Sequence, residues 1–221
     1  MILTDFKDLV GSLAVVTTVL QFLSGVLVCK QYVVNKTTAE TSPLPFICGV
    51  LSCSLWFLYG VVKEDNLIIL VNVIGEVLMI VYTIVFCIYT YKKSSVLKQV
   101  ALTCVYIIGV IIYVVYEEHN EILVNRLGLM ACALTLFTVA APMSKLLYVL
   151  RVKNTQCLPF PMILMSFFVS SLWLLYGIIV DDNFLQMTNL IGALLALFQL
   201  YLFVIYPNKP SSPSLPKHIV A

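Results

Sequence analysis

One stretch of this chain occurs twice. Residues 54–76 read SLWFLYGVVKEDNLIILVNVIGE, and 117 residues further on residues 171–193 read SLWLLYGIIVDDNFLQMTNLIGA. Of the 23 aligned positions 11 are identical without a gap. The identities include residues that an apolar composition does not supply by chance: Ser, Trp, Tyr, Gly, Asp and two Asn. Self-similarity at a fixed offset constrains the architecture before any local reading, because each copy is one structural unit and the chain is built by stacking them. Outside this core, Gly25 falls on Pro142, Lys36 on Lys153 and Thr38 on Thr155 at the same offset.

What the repeated unit is made of follows from its polarity. The 221 residues are 61% hydrophobic and 11% charged, with a mean hydropathy of +1.02. A helix needs about 20 largely apolar residues to cross roughly 30 Å of hydrocarbon. Seven such stretches are present, over 9–29, 43–62, 67–91, 96–116, 127–149, 159–180 and 184–206. They are continuous rather than alternating, and backbone groups in lipid must be satisfied within the segment, so they are helices and not barrel strands. The expectation is an all-α membrane protein with seven transmembrane helices. The first span is not a cleavable signal, since Asp5, Lys7 and Asp8 precede it in place of a basic region.

Spans 1–3 match spans 5–7, and span 4 has no counterpart. Three crossings followed directly by three more would leave the second unit upside down, and one additional crossing restores its orientation. The expected arrangement is therefore 3+1+3: two parallel three-helix bundles joined by an inversion-linker helix, related by an axis along the membrane normal. The units divide as 1–91 for the first repeat, 92–121 for the linker helix and 122–206 for the second repeat, with a Pro- and Ser-rich tail at 207–221 that reads as disordered.

Chemistry is sparse. No HExxH, GxSxG or phosphate loop is present, and His119 and His218 lie in a loop and the tail, so the chain does not read as an enzyme. The seven cysteines (29, 48, 53, 87, 104, 132, 157) lie in or beside spans without a CxxC pair, and neither a disulfide framework nor a metal or other cofactor is expected. A net charge of +2 gives no footprint for nucleic acid.

Polar residues at membrane depth are the better lead, because each is costly and tends to face the bundle interior. Asn72 and Asn189 are twins, each followed three residues on by glycine. A pseudo-two-fold axis brings them together, and an amide with two donors and two lone pairs suits a polyhydroxyl ligand; helix–helix glue is the plainer role. Trp56 and Trp173 read equally as interfacial belt residues or as an aromatic wall for the apolar face of a sugar ring. Ser54 and Ser171 precede them by two residues and could add hydroxyl contacts. Glu76 is the one carboxylate inside a span, and Ala193 stands at its twin position. Pro43 and Pro159 open spans 2 and 6, as boundary markers or as hinges, whereas Pro142 lies inside span 5, where a lost hydrogen bond kinks a helix.

A 3+1+3 arrangement with SLWxLYG, a following Asp-Asn and an intramembrane Asn in both halves resembles the SWEET family of sugar transporters over roughly residues 9–206. The resemblance implies a passive, bidirectional facilitator of sugars, most simply a monosaccharide such as glucose, in the plasma membrane or the Golgi, with a homo-oligomer compatible. It places the family's pocket on Asn72, Asn189, Ser54 and Trp173, with Trp56 the twin of Trp173. The family's proline set falls on Gly25, Pro43, Pro142 and Pro159, Gly25 being a departure that animal members resemble. Related PQ-loop carriers would show Pro-Gln, but Leu44 follows Pro43 and Phe160 follows Pro159. The alternatives are a proton-coupled carrier using Glu76 and a seven-helix receptor.

Connections 1–2, 3–4, 5–6 and the C-terminus carry nine Lys or Arg (Lys30, Lys36, Lys92, Lys93, Lys98, Arg151, Lys153, Lys209, Lys217) against three (Lys7, Lys63, Arg126) on the other side. The positive-inside rule then puts the C-terminus in the cytosol and the N-terminus outside or in the lumen. A tag after Ala221 should be reached by antibody only in permeabilised cells, and the sequon at Asn35 should carry no glycan. Labelling of that tag on intact cells would reverse the topology.

Overall fold

The structure, a computed structural model, describes residues 2–140 and 143–207; Pro142 and the tail from 208 onward lie outside the described residues. Every element in it is a helix: α1 (Ile2–Asn35), α2 (Leu44–Lys63), α3 (Asn66–Tyr89), α4 (Lys93–Tyr116), α5 (Asn120–Ala140), α6 (Met143–Val152), α7 (Phe160–Ile179) and α8 (Asn183–Ile205). Seven are long and apolar enough to cross a membrane. The eighth, α6, covers the later part of the stretch read as the fifth span. Residue for residue, α5 and α6 together repeat α1, which runs unbroken through Gly25.

Contacts divide the helices as the duplication implies. Within the first repeat α3 packs on α1 and α2; within the second α8 packs on α7 and α5. Across the repeats α1 lies on α7 and α2 on α5, so each bundle gives one helix to each seam. The linker α4 stands apart: 6% of its membrane window is buried inside the protein, against 22–28% for the other six. Its far end is tied down where Arg126 donates to the Tyr113 hydroxyl at 2.9 Å and stacks on the same ring. Glu117, at the end of α4, accepts from Tyr113 and His119, and the His119 contact holds its carboxyl below the ordinary range.

The two tightest corners are copies of one another. Glu64 and Asp181, twins by the offset, take the left-handed conformation (φ 59° and 53°) and end α2 and α7. The next residues, Asp65 and Asp182, begin α3 and α8, and each caps its own helix by accepting two backbone N–H groups, Leu67 and Ile68 for Asp65, Phe184 and Leu185 for Asp182. Such caps satisfy donors that a helix start leaves open and contribute about 1 kcal/mol each. A corner of two or three residues forces the paired helices together, and the motif glycines make the room. A Cβ on Gly60 would sit 3.1 Å from the Ile69 backbone nitrogen; on Gly177, 3.1 Å from that of Gln186.

Those distances predict that Gly60→Val and Gly177→Val each lower stability by about 1–3 kcal/mol through overpacking. Gly109→Ala on α4, where an added Cβ meets nothing within 4 Å, should be neutral or raise stability by about 0.5–1 kcal/mol. Thermal unfolding of the three purified variants in detergent measures the contrast.

Candidate functional site

Two seams meeting on a pseudo-two-fold axis leave a space where the axis runs. The cavity there has a volume of about 130 Å³ and is lined from both repeats by Thr18, Phe22, Trp56, Ile68, Val71, Asn72 on one side and Thr135, Trp173, Leu185, Thr188, Asn189 on the other. No carboxylate, lysine, arginine or histidine lines it. It is small beside the roughly 300–1,000 Å³ of drug-sized sites.

Each indole is held across the seam by the other repeat. Trp173 Nε1 donates to Thr18 Oγ1 at 2.9 Å, and Trp56 Nε1 donates to Thr135 Oγ1 at 3.1 Å. Thr18 and Thr135 give their own protons to the carbonyls of Ala14 and Ala131 four residues back, which leaves the hydroxyl oxygens free to accept. All three residue types repeat at 117, so the two arrangements are copies. With its one polar group satisfied, each ring presents apolar surface to the cavity.

The asparagines are set the same way. Asn72 Nδ2 donates to the Ile68 carbonyl at 2.8 Å and Asn189 Nδ2 to the Leu185 carbonyl at 2.9 Å. A backbone carbonyl only accepts, so the amide nitrogen must face it. Each side chain then has its oxygen and one N–H left for an occupant. Two such amides facing each other across a small cavity offer acceptors and donors in pairs, the pattern that vicinal hydroxyls match.

At one end the motif's tyrosines pack edge-on against the cavity indoles and cross to the other repeat. Tyr59 donates to Asp182 Oδ2 at 2.6 Å, and Tyr176 donates to Asp65 Oδ2 at 2.7 Å. Each tyrosine therefore reaches from its own repeat to the capping aspartate of the other. Tyr59 is 0% exposed, Tyr176 1% and Asp182 2%. Beyond this layer lies a second cavity of about 530 Å³ rich in charge, with Lys7, Asp8, Lys63, Glu64, Asp65 and Asp182 in its wall. The layer is symmetric but for one residue: Lys63 Nζ comes within 3.7 Å of Asp182, whereas Val180 stands at the twin position. On the side of the cavity away from the aspartates, Gln21 Nε2 donates to Ser166 Oγ at 2.8 Å from α1 to α7. Thr138 and Gly49 occupy the twin positions, and Gly49 has no side chain with which to repeat that bond.

Of the residues singled out from sequence, the cavity brings together Asn72, Asn189, Trp56 and Trp173. Ser54 stands outside it, its hydroxyl turned to Glu76 Oε2 at 3.1 Å. Pro43 and Pro159 occupy the N-caps of α2 and α7, where a missing N–H costs nothing. Gly25 lies within the continuous α1 and leaves room for the Tyr82 ring, whose hydroxyl donates to the Phe22 carbonyl. Thr18 and Thr135 went unread in the sequence, although both sit at the 117 offset beneath identical Ala14 and Ala131. The same holds for the tyrosine–aspartate exchange: the residues are in the motif, but their partners lie in the other copy.

Fold and site together define a tandem-repeat membrane protein of 3+1+3 architecture, with one small neutral cavity on its axis. The chain belongs to the family described as sugar efflux transporter for intercellular exchange, whose sequence profile matches twice, over residues 8–94 and 125–211. It is 42% identical over 209 residues to "Sugar transporter SWEET1" of Drosophila pseudoobscura pseudoobscura, covering 93% of this chain and 92% of that protein. It is 29% identical to "Bidirectional sugar transporter SWEET16" of Oryza sativa subsp. japonica, over 92% and 63% of the two chains. The solved structure of a eukaryotic SWEET transporter superposes with a TM-score of 0.86 at 23% identity, covering 92% of this chain and 98% of that one. That likeness bears on the fold.

Removing one hydroxyl of the tyrosine–aspartate layer should show what it contributes. Tyr59→Phe and Asp182→Asn should couple by about 1.5–3 kcal/mol in a double-mutant cycle on unfolding, as expected for a hydrogen bond to a buried charge. Additive effects of the two substitutions would mean that the 2.6 Å contact contributes nothing.

Proposed function

We propose that this protein carries a monosaccharide passively across a membrane, in either direction, by alternately exposing the axial cavity to the two sides. The observation that carries this reading is the pair Asn72 and Asn189, twinned across the axis, each with its amide oxygen and one N–H left over, beside two indoles whose polar groups are already satisfied. Polar groups that recognise hydroxyls and flat apolar faces that meet C–H surfaces are what a sugar ring requires. The names of the relatives, sugar transporters and one of them bidirectional, agree with it.

Passive transport fits the lining. Driving a solute uphill requires a coupling ion whose site changes with the solute's occupancy, and for protons that site is a carboxylate or histidine in the membrane. The cavity wall has neither. Glu76 lies outside the wall, bonded to Ser54.

The tyrosine–aspartate layer acts in this scheme as the gate at one end. By the charge bias of the loops it is the outer or lumenal gate, and the chain sits in the plasma membrane, the Golgi or both, as a monomer or a homo-oligomer. For the layer to open, Tyr59 must leave Asp182 and Tyr176 must leave Asp65. Both aspartates keep their own helix caps when that happens. The opposite end is assigned to the hinge candidates Pro43, Pro159 and Gly25, and to Pro142, which lies outside the described residues.

Uptake of labelled hexose into proteoliposomes tests this. Asn72→Ala and Asn189→Ala should each weaken sugar binding about 5- to 150-fold, for 1–3 kcal/mol lost per buried amide contact. A disaccharide should be carried poorly. Uptake should follow the gradient in both directions, survive a protonophore and persist in Glu76→Gln. Normal hexose uptake in both asparagine variants would overturn the assignment of the cavity; accumulation against the gradient that a protonophore collapses would overturn passive transport.

A further inference from the structure

Glu76 has no role in the cavity, yet a carboxylate at membrane depth is too costly to stand there without a partner. Its position in the fold suggests what that partner is. The loosely held linker α4 crosses the α2–α3 pair and leaves two clefts, of about 390 Å³ and about 260 Å³. Two residues line both, Glu76 from α3 and Ile107 from α4. None of the residues lining the axial cavity lines either cleft.

The walls are otherwise almost wholly apolar, with Ile80, Ile84, Ile108 and Ile111 typical of them, and no lysine, arginine or histidine among the lining residues. Thr83 gives its hydroxyl to the Met79 carbonyl of its own helix. Among the described residues the carboxylate of Glu76 has one hydrogen bond, from Ser54 to Oε2, and Oε1 has no protein donor. The arrangement belongs to the first repeat alone, since Ala193 replaces Glu76 in the second and α4 has no counterpart there.

We propose that the paired clefts form one intramembrane binding site for an apolar molecule carrying a single ammonium group, with Glu76 as its anchor. The hydrocarbon part fills the clefts between α3 and α4, and the ammonium meets Glu76 Oε1 from the lipid side. Charge complementarity selects this occupant over an ordinary acyl chain or a long-chain alcohol. A lone carboxylate among aliphatic side chains gains most from an opposite charge that arrives already bound to an apolar body, because ion pairs strengthen as water is excluded. Ser54 holds the carboxylate in place from α2, and α4 forms one wall of the opening.

The probes are octadecylamine and octadecanol, each with a photoreactive diazirine on its chain, added to the intact protein in phosphatidylcholine vesicles. Labelled peptides are mapped by mass spectrometry. The parent should be labelled by the amine on α3 and α4 near Ile80, Ile107 and Ile108, at least about tenfold above the alcohol, the ratio expected for a desolvated charge pair. Glu76→Gln, which keeps the size of the side chain, should bring the amine down to the level of the alcohol. Ile107→Trp, which puts an indole where the two clefts meet and leaves residue 76 a glutamate, should reduce amine labelling there even where Glu76→Gln folds poorly. Equal labelling by amine and alcohol in the parent, or amine labelling that survives both substitutions, overturns the site and leaves the clefts as ordinary bilayer contact.

Discussion

The arrangement depends on one doubled constraint, an aspartate that caps its own helix while accepting a tyrosine hydroxyl from the other repeat. Asp182 binds Phe184 N–H, Leu185 N–H and Tyr59; Asp65 binds Leu67 N–H, Ile68 N–H and Tyr176. A buried carboxylate is tolerable only when donors surround it. The cap supplies two from within the hairpin, and the third must come from across the axis. The two repeats are thereby fixed in register at one end, and the indoles, about one turn from the tyrosines, and the asparagines, about two turns from the aspartates, are brought into opposition.

A hydrogen bond to a charged group contributes about 1.5–3 kcal/mol net. In the proposed gate, two of them would hold one end shut by an amount comparable to the roughly 5.5 kcal/mol that separates a 99:1 population from its reverse. For a carrier this is a workable strength: firm enough to favour a closed end, weak enough to be outweighed as other contacts form. Because the caps survive when the tyrosines leave, opening does not require α3 or α8 to unravel. The Thr–Trp pairs lie deeper in the same seams and would have to slide or part in the same motion.

Where the twins differ is as informative as where they match. Lys63 opposite Val180, Gln21 opposite Thr138 and Glu76 opposite Ala193 are departures from an otherwise repeated framework. Lys63 adds an ion pair to one aspartate only. Gln21 makes a bridge on the far side of the cavity in one seam only. Glu76 opens toward the linker helix, an element the second repeat lacks. The cavity wall keeps Thr18 and Thr135, Trp56 and Trp173, and Asn72 and Asn189 as identical twins, and it departs from symmetry at Val71 opposite Thr188 and at Phe22 opposite Val139.

Much of this was legible in the residues themselves. The bilayer requires every spanning backbone group to be satisfied inside its own segment, so apolar length alone yields the helices and their number. The 117-residue offset then dictates parallel halves and an unpaired fourth helix, and symmetry alone puts Asn72 opposite Asn189. Tertiary structure decided the faces and the partners. Ser54 and Trp56 are two residues apart on one helix, about 200° around it, so one points to Glu76 and the other to the cavity; which one does which depends on how α2 lies against α3 and α5. Gly25, read as the weak twin of a proline, is the space that the Tyr82 ring occupies. The partners of Tyr59, Tyr176, Trp56 and Trp173 all lie in the other repeat. Periodicity within a helix sees neighbours three and four residues away, whereas these contacts span 79 to 155 residues and exist only once the seams have closed.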